Sequence, residues 1–283
     1  MKILIFGASG TVGNPLFNTL AEKYEVYGTF NKNRPANATD GRWYKYDMTT
    51  ATPISVLLET VKPDLIISSL TGDFEQQLAA HKEMAAYLQT HGQMIFISTA
   101  NVFDGDVKGR HSESSVPYPI SSYGKFKQTC ENLLQTTLGN RCLIIRLPKI
   151  MDKATAEKWL TQAETGNPPI YENLYLSFNT AKNVADTISY CVDIGKTGLL
   201  HLTSNDDISI DECMQLLLTQ KNKTAAYIPQ RLTTESYCNL LGCKDTSLLR
   251  HNGDDNFRLS MVRTDAAVAQ FNITCRETLG HLR

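Results

Sequence analysis

Five short runs limit what this chain can fold into: "KILIF" at 2–6, "EVYGTF" at 25–30, "DLIISS" at 64–69, "MIFIST" at 94–99 and "CLIIRL" at 142–147. Each is too short for a helix and too uniformly apolar for a strand with one wet face. Such runs read as strands of a parallel sheet buried on both faces. Helix-like stretches lie between them, among them "QQLAAHKEMAAYLQTHG" and "SSYGKFKQTCENLLQTTLGN". The second puts Phe126, Cys130, Leu133 and Leu134 on one face, opens on two serines and closes on Gly139. Alternating β and α with right-handed crossovers predict an α/β fold, a Rossmann-type doubly wound parallel sheet.

The alternation weakens after residue 150. "SFNTAKNVADTISYCV" and "ISIDECMQLLLTQ" read as helices, "GLLHLTS" as a strand, and 229–258 as polar and irregular. We therefore expect a nucleotide-binding Rossmann domain over 1–150 and a smaller C-terminal substrate or partner lobe over 151–283, with 174–203 a candidate return to the first domain. A chain of 283 residues buries roughly three-quarters of its unfolded surface and needs no staples. Its formal net charge is -1, with no basic block, which argues against a nucleic-acid partner. No apolar run approaches the ~20 residues that span a bilayer, and no signal peptide is visible. The seven cysteines are scattered and none has zinc spacing. These features predict a soluble, reduced, cytoplasmic protein without a metal site.

The first run leads directly into "GASGTVG". After a buried strand, Gly7 permits a tight turn, Gly10 lets backbone N–H groups approach a phosphate, and Gly13 lets the following helix pack close. The spacing is GxxGxxG rather than GxGxxG, and Pro15 falls about a turn into the expected helix. After the second strand, "GTFNKNRP" carries Lys32 and Arg34 where a carboxylate would bind the ribose of NAD(H). Cations there suit the 2′-phosphate of NADP(H). Asp47, in "YDMT", ends a strand where it could accept from an adenine amino group.

"SSYGKFK" places Tyr123 and Lys127 at i and i+4, on one helix face. A cation beside a phenol stabilises the phenolate, and a proton donor matched to neutral pH would result. Gly124 between them costs about 1 kcal/mol against alanine in a helix, which points to close packing there. Ser98 and Thr99 end a strand at the carboxyl edge of the sheet, where open α/β sheets bind ligands. A Thr99 hydroxyl could hold a substrate carbonyl oxygen near the phenol. His111 lies in a polar stretch and reads as solvated; Trp43 and Trp159 read as packing.

In this order, Gly7/Gly10/Gly13, Asp47, Thr99 and Tyr123/Lys127 resemble the short-chain dehydrogenase/reductase superfamily, extended type. "STANVFDG", Glu113 and "YGKFKQTCE" resemble, more narrowly, the dTDP-4-dehydrorhamnose reductase group, which includes the regulatory β subunit of methionine adenosyltransferase. The resemblance implies hydride transfer from NADPH to a carbon of a nucleotide-linked 4-keto-6-deoxy sugar. Tyr123 would protonate the oxygen, Thr99 would hydrogen-bond it, and Lys127 would bind the nicotinamide ribose. It also implies cofactor contacts at Ser9, Thr11, Val12, Met48, Ser69 and Leu70, and a homodimer by superfamily habit. The chain departs from those reductases at Ala100-Asn101, where they carry Asp-Tyr, and at Pro148 and Lys149, where they carry an aromatic segment. Gln77 falls near the position of the superfamily's usual Asn. These departures keep two other outcomes open: an NADP-binding regulatory subunit without turnover, and a sugar-nucleotide epimerase or dehydratase.

Overall fold

The computed structural model describes residues 1–35, 41–49, 53–165, 169–224, 227–251 and 255–282. In chain order its elements begin β1 (Lys2–Phe6), α1 (Gly13–Ala21), β2 (Glu25–Phe30), β3 (Trp43–Lys45), α2 (Ile54–Val61), β4 (Leu65–Ser68), α3 (Phe74–Leu88) and β5 (Gln93–Thr99). There follow β6 (Arg110–His111), α4 (Ser122–Leu138), β7 (Cys142–Leu147), β8 (Lys149–Ile150), α5 (Lys153–Thr165), β9 (Leu174–Leu176) and β10 (Phe178–Asn179). The last are α6 (Ala181–Asp193), β11 (Gly198–His201), β12 (Ile208–Ser209), α7 (Ile210–Gln220), α8 (Thr234–Leu240), β13 (Phe257–Met261) and α9 (Cys275–Gly280). The chain divides into two compact units. One is Met1–Ser98, Thr129–Ile145 and Ala181–Leu200; the other is Thr99–Gln128, Arg146–Thr180 and His201–Arg283.

All five apolar runs are strands. They join a seven-stranded sheet of order β11-β7-β5-β4-β1-β2-β3. Strand β1 runs parallel to β2, with Ile3 opposite Val26, and parallel to β4, with Ile3 opposite Leu65. Ile3, Leu4, Ile5 and Phe6 are fully buried, each worth about 1.5–3 kcal/mol relative to exposure. The strand order reverses beside β1, which puts a topological switch point at its carboxyl end. Pro15 is the third residue of α1, inside the first turn, where the missing N–H has no intrahelical partner to lose.

The second unit has a four-stranded sheet of order β12-β9-β13-β6. Its cores gather Leu160, Phe178, Met214 and Leu279 in one cluster, and Ile120, Tyr237 and Phe257 in another. The stretch 229–258 is not irregular throughout: it contains α8, capped by Thr233, which buries Tyr237 and Cys238. Among the described residues, no helix is long and apolar enough to cross a membrane.

Candidate active site

The glycine turn lies within the first unit. Gly7 has φ +78°, and a Cβ on Gly13 would sit 2.2 Å from the Gly7 carbonyl oxygen. Any side chain at Gly13 would push the helix off the strand. The turn is tied from β2: Gly7 N–H donates to Thr29 Oγ1 (3.0 Å) and Ser9 N–H to the Thr29 carbonyl (3.3 Å). Gly10 N–H donates to the Gly7 carbonyl (3.0 Å). Helix α1 has no side-chain cap, and among the described residues the amides of Thr11 and Val12 make no hydrogen bond to the protein. Free amides at the positive end of a helix form an anion cradle.

Further cofactor candidates lie just past the neighbouring strands. Lys32 and Arg34 are exposed beyond β2. Asp47, two residues past β3, accepts from Thr49 N–H (2.9 Å) and Thr49 Oγ1 (2.7 Å). Those bonds hold its carboxyl below the usual range, with Lys45 and Lys32 adding to the pull. The Met48 methyl lies against Gly72, 3.2 Å from where a Cβ would be. Ser69 spends its hydroxyl on the carbonyls of Phe6 (3.1 Å) and Gly7 (3.2 Å), so it braces the turn; Leu70 is buried. Gln77 is also a brace: it is buried and donates to the Gly72 carbonyl (2.8 Å).

Thr99, Tyr123 and Lys127 belong to the second unit. Thr99 is buried in extended backbone, and it caps the short 3₁₀ turn 100–103 by accepting from Asn101 N–H (3.2 Å). Tyr123 and Lys127 stand one turn apart on α4, and the Thr99 hydroxyl acts on the Tyr123 phenol. Burial pushes the Tyr123 phenol above its ordinary value, although the ring is 40% exposed, and the Thr99 bond pulls it down. Lys127 is itself buried, its ammonium 5.9 Å from the Phe126 ring centre. A Cβ on Gly124 would lie 2.3 Å from the Asn101 carbonyl oxygen, which is the close approach the sequence indicated.

Asp104 organises this region, and sequence reasoning missed it. Fully buried, it accepts from Ile120 N–H (2.7 Å), Ser121 N–H (3.2 Å), the Ser121 hydroxyl and Asn101 Nδ2 (3.5 Å). Ser121 Oγ then accepts from Gly124 N–H (2.9 Å) and so caps α4. One carboxylate therefore ties the turn after Thr99 to the start of the helix bearing Tyr123. The only signal was an Asp inside "NVFDG".

His111 corrects the expectation of a solvated side chain: it stacks on Phe103 (4.4 Å, 9°) and its Nε2 lies 2.7 Å from the Asp106 carbonyl. Glu113 accepts from His201 N–H (3.1 Å) and from Thr264 N–H (3.0 Å) and Oγ1 (2.7 Å). Burial pushes the Glu113 carboxyl up, but the bond from Thr264 and the nearby His201 outweigh it, and the net shift is downward. His201 is fully buried, and burial lowers its imidazole to about 4, with Glu113 opposing and Arg146 assisting. The unfolded chain therefore takes up this proton near pH 6.5 while the folded chain resists it down to about pH 4. Stability from this group is complete above pH 6.5 and falls as pH drops through that window, by about 3 kcal/mol in all. Urea midpoints measured across the window should fall with pH in the wild type, and this part of the fall should vanish in His201→Gln.

Lys149 is exposed on β8, its ammonium 5.9 Å from the Trp159 ring, and Trp159 packs on Phe178. Trp43 packs on Phe17 (4.4 Å). Among the described residues, no group of three or more His, Cys, Asp or Glu is placed to hold a metal.

A parallel sheet that reverses beside its first strand, with a glycine turn at that point, is the fold of the extended short-chain dehydrogenase/reductase class. Within it, the family described as the RmlD substrate-binding domain matches residues 1–237, and the chain belongs to that family. The probable low-salt glycan biosynthesis reductase Agl14 of Haloferax volcanii is 25% identical over 232 residues, 74% of this chain and 76% of that protein. A dTDP-4-dehydrorhamnose reductase of Aggregatibacter actinomycetemcomitans is 26% identical over 160 residues, 51% of this chain and 50% of that protein. The crystal structure of a hypothetical dTDP-4-dehydrorhamnose reductase from Sulfolobus tokodaii superposes with a TM-score of 0.71 at 25% identity, covering 82% of this chain and 87% of that one.

Proposed function

We propose that this chain is an NADPH-dependent reductase acting on a carbonyl of a nucleotide-linked sugar of the 4-keto-6-deoxy type. The observation that carries the proposal is the Thr99 hydroxyl acting on the Tyr123 phenol, with Lys127 one turn along the same helix. Two relatives bearing the name reductase support the reaction class. The glycine turn fits a dinucleotide: a Cβ on Gly7 or Gly13 would strike backbone, and the amides of Thr11 and Val12 are left to donate outward. Lys32 and Arg34, with no carboxylate beside them in "GTFNKNRP", favour NADP(H) over NAD(H).

When bound, the cofactor supplies the hydride that forms the new C–H bond. Tyr123 supplies the proton: its O–H bond breaks as the substrate oxygen gains one, so the carbonyl becomes an alcohol and the phenol a phenolate. Thr99 donates to the same oxygen and holds it, and Lys127 binds the nicotinamide ribose. The same reading places the protein in the cytoplasm, in keeping with seven cysteines that form no disulfide among the described residues, and makes it a homodimer.

The test is NADPH consumption across a panel of nucleotide-linked 4-keto sugars. Turnover with one member establishes the reductase and its substrate class. If NADPH binds and nothing on the panel is reduced, the regulatory-subunit reading takes over. Ala100-Asn101, Pro148 and Lys149, the points where the chain departs from the reductases it resembles, favour that second reading.

A further inference from the structure

Helix α8 ends on Gly242, whose φ of +68° turns the chain back on itself. Two backbone bonds close the turn: Cys243 N–H donates to the Cys238 carbonyl (2.9 Å) and Gly242 N–H to that of Asn239 (3.1 Å). This paired pattern sets the residue after the glycine beside the one five positions earlier. Both of those residues are cysteines. Standard bond lengths plus the 2.9 Å bond hold their Cα atoms within about 7 Å of each other, the outer limit for a disulfide. Cys238 is buried in the cluster of Ile120, Tyr237 and Phe257, and Cys243 packs against that same cluster. The two thiols differ in access: six of the seven cysteines are buried, and Cys243 is the one that is partly exposed. Burial pushes the Cys238 thiol above its ordinary value, with Cys243 and Asp245 adding to the push.

We propose that Cys238 and Cys243 form an oxidisable dithiol, a modification site that a low-molecular-weight disulfide closes into a bridge across the end of α8. The Cys243 thiolate attacks one sulfur of the reagent, whose S–S bond breaks as a bond from Cys243 to the reagent forms. One reagent thiolate leaves and takes up the proton that Cys243 gave up. The Cys238 sulfur then attacks the Cys243 sulfur, the mixed bond breaks, and the second reagent thiol leaves with the Cys238 proton. The two cysteines have lost two electrons and two protons, and the reagent has gained them as two thiols. The second step is intramolecular, so proximity offsets the small thiolate fraction of Cys238. The bridge crosses the end of the helix whose Tyr237 hydroxyl donates to the Asp104 carbonyl (3.1 Å). The chemistry needs neither cofactor nor sugar, and it stands apart from the reductase reading.

The experiment treats the full chain with oxidised glutathione at about pH 8, near the ordinary thiol value. Intact mass is read first, then peptides from a digest made with free thiols blocked. The wild type should lose two hydrogens and carry no adduct, and the digest should show Cys238 joined to Cys243. Dithiothreitol should restore the starting mass. Cys238→Ala should stop at the mixed disulfide, with one glutathione held on Cys243. Cys243→Ala should leave Cys238 unmodified, because the buried thiol is not reached. The wild-type digest locates the bridge by itself, so a variant that misfolded would not decide the outcome. A lasting glutathione adduct on wild-type Cys243, no reaction at all, or a bridge involving any of the other five cysteines overturns the proposal.

Discussion

Tyr123→Phe is expected to lower reductase turnover by about 10²- to 10⁴-fold, the range for loss of a positioned general acid, while NADPH affinity stays unchanged. The substitution removes one oxygen and keeps the ring, so the helix and its contacts persist. Burial pushes the Tyr123 phenol above its ordinary value in the protein alone. Its acid form therefore persists through neutral pH, and the proton needed for reduction is on the oxygen when substrate arrives. The sign follows: activity that needs the acid form should hold through neutral pH and fall only as pH rises past the phenol's own value. Initial rates by NADPH absorbance and cofactor binding by fluorescence, measured on both proteins, separate the roles. A rate loss matched by lost NADPH affinity would make Tyr123 a binding group; an unchanged rate would remove it from the chemistry.

The parts of this molecule that were legible in the sequence are those whose signal is local. A strand buried on both faces must be apolar throughout, so "KILIF", "DLIISS" and "CLIIRL" could be read with near-correct ends. Helix α4 declared itself by its serines and its apolar face, of which Phe126, Cys130 and Leu134 are buried. The three residues of β3 and the two of β6, β8, β10 and β12 are too few to show any period. Helix α8 hides for a related reason: in two turns it buries only Tyr237 and Cys238. Its Thr233 cap and the Glu235 behind it were the available signal. Tyr123 and Lys127 could be paired because i and i+4 meet on a helix whatever the fold. The partners of Asn101, Asp104 and His111 could not, since each is brought to its contact by a loop whose path no local pattern encodes.

Asp104→Ala should cost about 3–5 kcal/mol of folding stability. Three buried donors, Ile120 N–H, Ser121 N–H and the Ser121 hydroxyl, would lose their common acceptor, as would the partly buried Asn101 Nδ2. Each buried donor left without a partner costs roughly 1–3 kcal/mol, and partial rearrangement keeps the sum below the maximum. Ser121 also caps α4 through Gly124 N–H, so the start of the Tyr123 helix would loosen with it. Tyr237, whose hydroxyl donates to the Asp104 backbone carbonyl (3.1 Å), should keep that bond. Asp104→Asn retains an acceptor for the two amides and should cost less than half as much. Urea denaturation of the two variants against wild type gives the ranking. If Asp104→Ala were no less stable than Asp104→Asn, the donors would have found other partners, and the carboxylate would not be what sets Thr99 and Tyr123 in register.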